Sequence, residues 1–459
     1  MKFSIKKANE FIENNKHNVN PKYRHKFHLM PEVGWMNDPN GFIFYNGHYH
    51  LFFQYYPYEP KWGPMHWGHA KSKDLIRWTH LPVALAPDLE HETGCFSGGS
   101  IEYNKELLLM YTSHFEGNYK LEEQSIARSV DEVNFIKNGK PVITIDDLPT
   151  NASKIDFRDP NPVIIDGKIF ILIGSQTLDN KGQILVYTTK DFKTFSYLNS
   201  IKHPLFGEIA ECPDLFDLDG KHVLLFSATN LKQNNNSFKN TNSSLYAVGH
   251  FNTITGEYTF EHISEIDAGH HYYAPQTAFD ENRVAIAWME MWHKPYYTAQ
   301  INHLWTGSMT LPRVLNVRNN RLYQTPLNIN EYVKNIKNIS LVDTTKTLKY
   351  FILEGQVNKN DITTITIGHE SDFVELLITP EKIILDTSKT KLFPLEKRSI
   401  NHNLTLVDFQ LVMDNSSLEL FVKDVDKTIT TRVYFETDYV NITHRGNNIE
   451  KLFLKELNI

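Results

Sequence analysis

The chain has 459 residues, of which 41% are hydrophobic and 12% aromatic, enough for packed cores and for more than one ordinary domain. A net charge of −7, with no basic region, argues against a nucleic-acid partner. Two cysteines form no disulfide framework, the polar start is unlike a signal peptide, and no apolar run reaches the roughly 18 residues of a membrane span. We therefore expect a cytoplasmic protein without a membrane partner.

Residues 1–22 predict a short polar helix ahead of the first domain. Ile5, Ala8, Phe11 and Ile12 recur at helical spacing, so they share one face. We expect that face to pack on the domain that follows.

Residues 23–325 contain five copies of one template, in which a polar motif is followed by a turn and then an apolar run typical of a strand. The turns lie at Gly47, Lys105, Gly167, Gly220 and Asn282, with spacings of 58, 62, 53 and 62 residues. The second half of each unit reads as strand, turn and strand. Four strands per unit and this period predict a five-bladed β-propeller.

The template ends before residue 326. Residues 326–347 are polar and are interpreted as a linker, whereas residues 348–459 alternate apolar and polar positions between closely spaced turns. This alternation predicts a C-terminal β-sandwich, so the chain as a whole is expected to be all-β.

Three acidic residues stand at the start of the presumed first strand of a unit: Asp38, Asp159 and Glu211. Each has an ordinary explanation, because the first lies in a turn-forming sequence, the second can pair with Arg158, and the third can be solvated. Their shared place in the repeat favours one common site near the propeller axis. A proline follows each acid closely and restricts the backbone there.

Carboxylates gathered in an aromatic-lined funnel suit glycoside hydrolysis. One ionised carboxylate attacks the anomeric carbon, and a second, protonated one donates to the leaving oxygen. Clustered negative charges help to keep one member protonated. Aromatic side chains near the motifs are candidates for packing on a sugar ring, although core packing is an equal alternative for each: Trp35, Trp62, Trp67, Phe96 and Trp288.

These motifs resemble glycoside hydrolase family 32, the group of invertases, inulinases and sucrose-6-phosphate hydrolases. The resemblance rests on WMNDPNG at 35–41, FRDP at 157–160 and ECPD at 211–214, with further matches at FSG 96–98 and YYAPQ 272–276. It implies a five-bladed propeller followed by a β-sandwich, and a β-fructofuranosidase that retains anomeric configuration and cleaves sucrose 6-phosphate, sucrose or both.

The resemblance also implies a role for each acid. Asp38 would be the nucleophile, Glu211 the acid/base, and Asp159 the residue that holds fructosyl hydroxyls and stabilises the transition state. The expected substrate-binding residues are Trp35, Met36, Asn37, Gln54, Trp62, Phe96, Ser97, Arg158 and Trp288.

Other functions stay open at this point. The same scaffold suits a fructan hydrolase or a fructosyltransferase, and a propeller can bind sugar without catalysis. We expect no cofactor and no metal, since no tight His/Cys cluster is visible. The expected partner is a small sugar, with the protein a monomer or homodimer. Five cations are candidates for contacting a substrate phosphate: Lys61, His114, Arg128, His293 and Lys294.

Overall fold

The computed structural model describes residues 3–234 and 237–459 and consists mainly of strands. Helix α1 (Ile5–Asn15) buries Ala8 and Ile12, and a 3₁₀ turn follows it at Lys16–Asn18. Residues 1 and 2 of the predicted N-terminal segment lie outside the described residues. Helix α2 (Tyr297–Gln300) is a single turn. Neither helix in the described ranges is long and apolar enough to cross a bilayer.

Five antiparallel sheets follow the N-terminal helix in chain order. Their strands are β1 (Gly34–Tyr45), β2 (His48–Tyr56), β3 (His66–Ser72) and β4 (Thr79–Leu85); β5 (Gly94–Tyr103), β6 (Glu106–Glu116), β7 (Lys120–Ser129) and β8 (Ile136–Lys137); β9 (Ala152–Ile165), β10 (Lys168–Thr177), β11 (Gly182–Thr189) and β12 (Phe195–Lys202); β13 (Ala210–Leu218), β14 (Lys221–Ala228), β15 (Ser243–Phe251) and β16 (Tyr258–Glu265); β17 (Tyr273–Phe279), β18 (Arg283–Trp288), β20 (Arg313–Arg318) and β21 (Arg321–Pro326).

The first strands of these sheets face one another. Each packs against the first strand of the next sheet, and β17 packs against β1 as well as β13. The short strand β19 (Trp305–Thr306) pairs in parallel with β1, so a late segment of this region joins the first sheet. All five turns seen in the sequence repeat lie between the first and second strand of a sheet.

Every first strand carries a β-bulge at the same point of the repeat. The register with the second strand shifts between Met36 and Pro39, between Phe96 and Gly98, and at the corresponding place in β9, β13 and β17. The backbone has positive φ at Asp159 (65°), Cys212 (49°) and Ala274 (50°). A bulge re-aims side chains and interrupts the ladder, which explains why proline is tolerated at these points.

The remaining strands form two six-stranded sheets that share one apolar core. They are β22 (Val333–Asn338), β33 (Ile449–Leu457), β24 (Tyr350–Asn358), β29 (Leu406–Asp414), β30 (Ser417–Val422) and β31 (Ile429–Arg432) in one sheet, and β23 (Thr344–Leu348), β32 (Tyr439–Arg445), β25 (Thr363–His369), β26 (Asp372–Ile378), β27 (Lys382–Asp386) and β28 (Arg398–Asn401) in the other.

The interpretation of residues 326–347 as a linker needs correction. This segment supplies β22 and β23, one edge strand for each of the last two sheets. Most of their side chains are exposed or half-buried, because an edge strand here has little core to cover. Their polar composition therefore reflects position at a sheet edge and hides the alternation that identifies buried strands.

Candidate active site

The bulges of β1, β9 and β13 bring Asp38, Asp159 and the Glu211–Cys212 pair together. The backbone amide of Cys212 donates to Oδ2 of Asp159 at 2.9 Å. The thiol of Cys212 lies 3.5 Å from the same oxygen and 3.8 Å from Oδ2 of Asp38. The place of this cysteine between two carboxylates depends on contacts that the sequence does not display.

Asp38 is buried, and its two carboxylate oxygens differ in their hydrogen bonding. Its Oδ2 accepts a hydrogen bond of 3.1 Å from the Ser97 hydroxyl, while its buried Oδ1 has no hydrogen-bond partner in the described part of the chain. Burial, together with the negative charge of Glu211, raises the pKa of Asp38 to about 6. The Ser97 hydroxyl thus holds one oxygen of the carboxylate in place.

Asp159 is fixed through its backbone as well as its side chain. Its amide donates to the Thr112 hydroxyl at 2.9 Å across to the neighbouring sheet. Burial raises the pKa of Asp159 to about 7, against the opposing effect of the Arg158 charge and with a contribution from Glu211. Three carboxylates in one buried space therefore repel one another, and the site resists holding all three charges at once.

Glu211 is the most open of the three acids, with 17% of its side chain exposed. Arg158 donates to Oε1 from Nε at 3.2 Å and from Nη2 at 2.8 Å. The Tyr273 hydroxyl donates to Oε2 at 2.5 Å. Both oxygens are therefore oriented, while the carboxyl group keeps contact with solvent.

Glu122 lies behind Arg158 and was not identified from the sequence. This fully buried carboxylate accepts from Nη1 of Arg158 at 3.1 Å and from the Phe157 amide at 3.1 Å, and it lies 3.2 Å from Nδ1 of His114. Burial disfavours its charge, but Arg158 and the His114 contact outweigh burial and lower the pKa of Glu122 to about 2. No sequence signal marks Glu122, since it stands outside all five motifs.

Aromatic side chains line one side of the carboxylates. The Trp35 indole donates to Oδ1 of Asn37 at 2.7 Å. Its ring lies 6.0 Å from Trp292 and 4.7 Å from Tyr296, neither of which was selected from the sequence. Trp288 packs on the same ring at 5.8 Å and is fully buried.

A second aromatic group lies at the bulge of β5. Phe96 stacks on the His114 ring, with 3.9 Å between centroids and 9° between planes, and Trp62 meets Phe96 edge-on at 6.0 Å. Trp62 is 45% exposed, so a large apolar ring faces solvent here. Such a ring at the mouth of a polar site suits the apolar face of a sugar.

Two further residues expected to bind substrate are buried. Gln54 donates to the backbone carbonyl of Cys95 at 3.0 Å. Met36 is fully buried in an apolar cluster with Leu51 and Phe53. Their positions support the strand that carries Asp38 and Asn37.

Two buried histidines that precede β17, His270 and His271, are engaged in hydrogen bonds. His270 lies 2.8 Å from the carbonyl of Glu396, and His271 accepts from the Arg432 amide at 3.0 Å. Elsewhere, ligand atoms of His25, His28 and Asp414 lie within 4.8 Å of one another.

That group is better described as an ion-pair network than as a metal centre. His28 contacts Asp414 at 2.7 Å and Glu419 at 2.9 Å through its two ring nitrogens. Burial alone lowers the pKa of His28, but these two contacts raise it to about 9. A doubly protonated ring has no lone pair for a metal.

Comparison with known proteins agrees with this site. Residues 28–326 match the model of the glycosyl hydrolases family 32 N-terminal domain, and residues 334–458 match the family 32 C-terminal model. The chain belongs to glycoside hydrolase family 32 and is a glycosidase, which confirms the resemblance seen in its motifs.

Individual relatives cover nearly the whole chain. A sucrose-6-phosphate hydrolase of Zymomonas mobilis is 34% identical, covering 90% of this chain and 87% of the relative. A sucrose-6-phosphate hydrolase structure from Lactobacillus gasseri has a TM-score of 0.90 at 25% identity and covers 100% and 99% of the two chains. A Bombyx mori GH32 beta-fructofuranosidase variant in complex with sucrose has a TM-score of 0.86 at 31% identity, covering 98% and 97%.

Proposed function

We propose that this protein is a retaining β-fructofuranosidase that hydrolyses sucrose 6-phosphate and sucrose through a covalent fructosyl–enzyme intermediate. The observation that carries the proposal is the meeting of Asp38, Asp159 and Glu211 at the bulges of three separate first strands. The names of the relatives, which act on sucrose 6-phosphate or were solved with sucrose, support the substrate.

In the first step, Oδ1 of Asp38 attacks the anomeric carbon of the fructosyl unit. Ser97 holds the other oxygen of this carboxylate in place. Glu211 gives its proton to the glycosidic oxygen, and the glucosyl part leaves as an alcohol. Asp159 accepts hydrogen bonds from fructosyl hydroxyls and stabilises the positive charge that develops on the ring.

In the second step, Glu211 removes a proton from water, the water attacks the anomeric carbon, and the ester bond to Asp38 breaks. Because Glu211 gave up its proton in the first step, it is a carboxylate at this stage and acts as the base. Arg158 and Tyr273 keep the carboxylate oriented during both steps.

We also propose the architecture of the two domains. The circuit of first strands and the four-stranded sheets support a five-bladed β-propeller, and the shared core of the last two sheets supports a β-sandwich. Both cysteines are buried and unpaired, which is compatible with a reducing, cytoplasmic location.

Proton NMR of the first-formed fructose tests the mechanism. We expect the β-anomer to appear first, because two inversions restore configuration, and a carboxyl separation of about 5–5.5 Å between Asp38 and Glu211 in a substrate complex. Initial release of the α-anomer would contradict a covalent intermediate, and the absence of any cleavage of either sugar would leave only a binding role.

A further inference from the structure

The phosphate of sucrose 6-phosphate needs cations or hydrogen-bond donors at the mouth of a site that is otherwise acidic. Two of the cations selected from the sequence already have an acidic partner. Lys61 pairs with Glu59 at 2.7 Å. His114 is buried beneath Phe96, and its Nδ1 contacts Glu122.

Arg128 is in the wrong place. It pairs across β6 with Leu108, beside the turn at Lys105, whereas Ser97 lies near the opposite end of the same sheet. Arg128 also contacts Glu106 at 3.5 Å. His293 and Lys294 remain, and both lie between β18 and α2.

Lys294 belongs to the segment that forms the aromatic wall. Trp292 and Tyr296, two residues to either side of it, both pack on Trp35. Trp35 in turn donates to Asn37, the residue before Asp38, so this segment packs on the strand that carries the nucleophile.

The Lys294 ammonium group lacks a close counter-ion. It is half-buried, and no carboxylate oxygen of residues 3–234 or 237–459 approaches it within the 4.0 Å of an ion pair. Burial first, and then the positive charge of Arg398, lower the pKa of Lys294 to about 8, while Glu396 opposes them only in part. The charges of Lys294 and Arg398 therefore act on each other, and Glu396 offsets the two positive charges only in part.

Arg398 also has a hydrogen-bond donor without an acceptor. Only 1% of its side chain is exposed, and its buried Nε has no hydrogen-bond partner in the described structure. Its other contacts are Oδ1 of Asn240 at 2.6 Å and the largely exposed Glu396 at 3.1 Å. A buried donor without an acceptor is costly, and an oxyanion would satisfy it.

We propose that Lys294, with Arg398 behind it, binds the phosphate group of sucrose 6-phosphate while the fructosyl unit lies against Asp38. The inference rests on the proposed function and specifies its preferred substrate class, a β-fructofuranoside whose leaving sugar carries a phosphate monoester. Lysine suits this task as a point charge on a flexible stem. The phosphate supplies the counter-charge that the protein leaves out.

The test compares kcat/KM for sucrose 6-phosphate with kcat/KM for sucrose. In Lys294→Met, we expect the ratio of the two values to fall about tenfold or more, since one charge-assisted contact is lost. Lys294→Arg keeps the charge and is expected to restore most of the ratio. Lys168→Met removes an exposed lysine beside the turn at Gly167, one that donates to the Thr253 carbonyl, and is expected to keep the wild-type ratio.

Inorganic phosphate provides a second, independent measurement. We expect it to compete with sucrose 6-phosphate in the wild type and more weakly in Lys294→Gln, a variant that also serves if Lys294→Met melts at a lower temperature. Phosphate inhibition that depends on Lys294 without any change in the substrate ratio would indicate a site for free phosphate and would overturn the inference. An unchanged ratio in an enzyme that cleaves both sugars would also overturn it, whereas a wild type that cleaves neither sugar would overturn the proposed function itself.

Discussion

Arg158 donates two hydrogen bonds to a single oxygen of Glu211, from Nε at 3.2 Å and from Nη2 at 2.8 Å. The same guanidinium group contacts Glu122 through Nη1 at 3.1 Å. Nη1 also contacts Asp156 at 3.0 Å, so the guanidinium group is shared among the proposed acid/base and two other carboxylates. Glu122 is a positioning residue, because it holds the guanidinium group that orients Glu211.

Glu122→Gln tests this positioning role. Without the buried carboxylate, Arg158 loses one of the acids that hold its guanidinium group in place, so it orients Glu211 less well. We expect kcat to fall by about tenfold while KM for sucrose changes little, because the orientation of Glu211 matters for proton transfer. The control is Glu123→Gln, the neighbouring glutamate on β7, which accepts from the Ile145 amide. A loss of kcat matched by a rise in KM, in a variant that also melts at a lower temperature, would mean that Glu122 has only a structural role.

Asp38→Asn separates catalysis from stability. We expect kcat to fall by about 10⁴-fold or more, because an amide does not form the covalent intermediate. The fold should become more stable, since burial raises the pKa of Asp38 from 3.8 to about 6. Because the pKa of Asp38 is higher in the folded state than in the unfolded state, protonated Asp38 contributes fully to stability below pH 3.8. This contribution is lost as the pH rises through about 6.

The measurement is urea unfolding of both proteins at pH 4 and pH 7. The advantage of Asp38→Asn should be small at pH 4 and reach about 3 kcal/mol at pH 7. Equal stability at both pH values would show that the wild-type carboxylate is not strained by its surroundings.

On the acid side of the pH profile, kcat/KM should rise at a pH well above the ordinary pKa of an aspartate. The free enzyme needs an ionised nucleophile, and the pKa of Asp38 is raised to about 6 while that of the interacting Asp159 is raised to about 7. Because these groups titrate together, this rise reports the pair. We expect kcat/KM for sucrose to rise between pH 5 and 7; a plateau already reached at pH 5 would contradict a buried, mutually repelling pair.

His28→Gln tests the ion-pair network between the N-terminal segment and β29–β30. The contacts to Asp414 and Glu419 outweigh burial and raise the pKa of His28 from 6.5 to about 9. The stability that protonated His28 contributes is fully present below pH 6.5 and is lost as the pH rises through about 9. We expect the variant to lose about 3 kcal/mol more at pH 6 than at pH 10 in urea unfolding. His17→Gln, at an exposed position, is the control and should show no such difference.

Local patterns in the sequence predict much of the fold and of the site. The five turns, from Gly47 to Asn282, are visible because turn residues and alternating strands repeat at nearly constant spacing. The family membership follows from the motifs around Asp38, Asp159 and Glu211, and the equivalent positions of these acids follow from the repeat. The linker interpretation was wrong because edge strands β22 and β23 face solvent and lack the alternation of core strands.

Contacts between distant parts of the chain were decided only by the tertiary structure. Cys212 reaches Asp38 across 174 residues of sequence, and Glu122 reaches Arg158 from a different sheet. Neither contact has a sequence pattern, because packing between sheets follows from how the bulged first strands come together. The sequence alone could name the acids; the bulges and the packing of neighbouring sheets determine which of their oxygens are held, which are free, and how their charges act on one another.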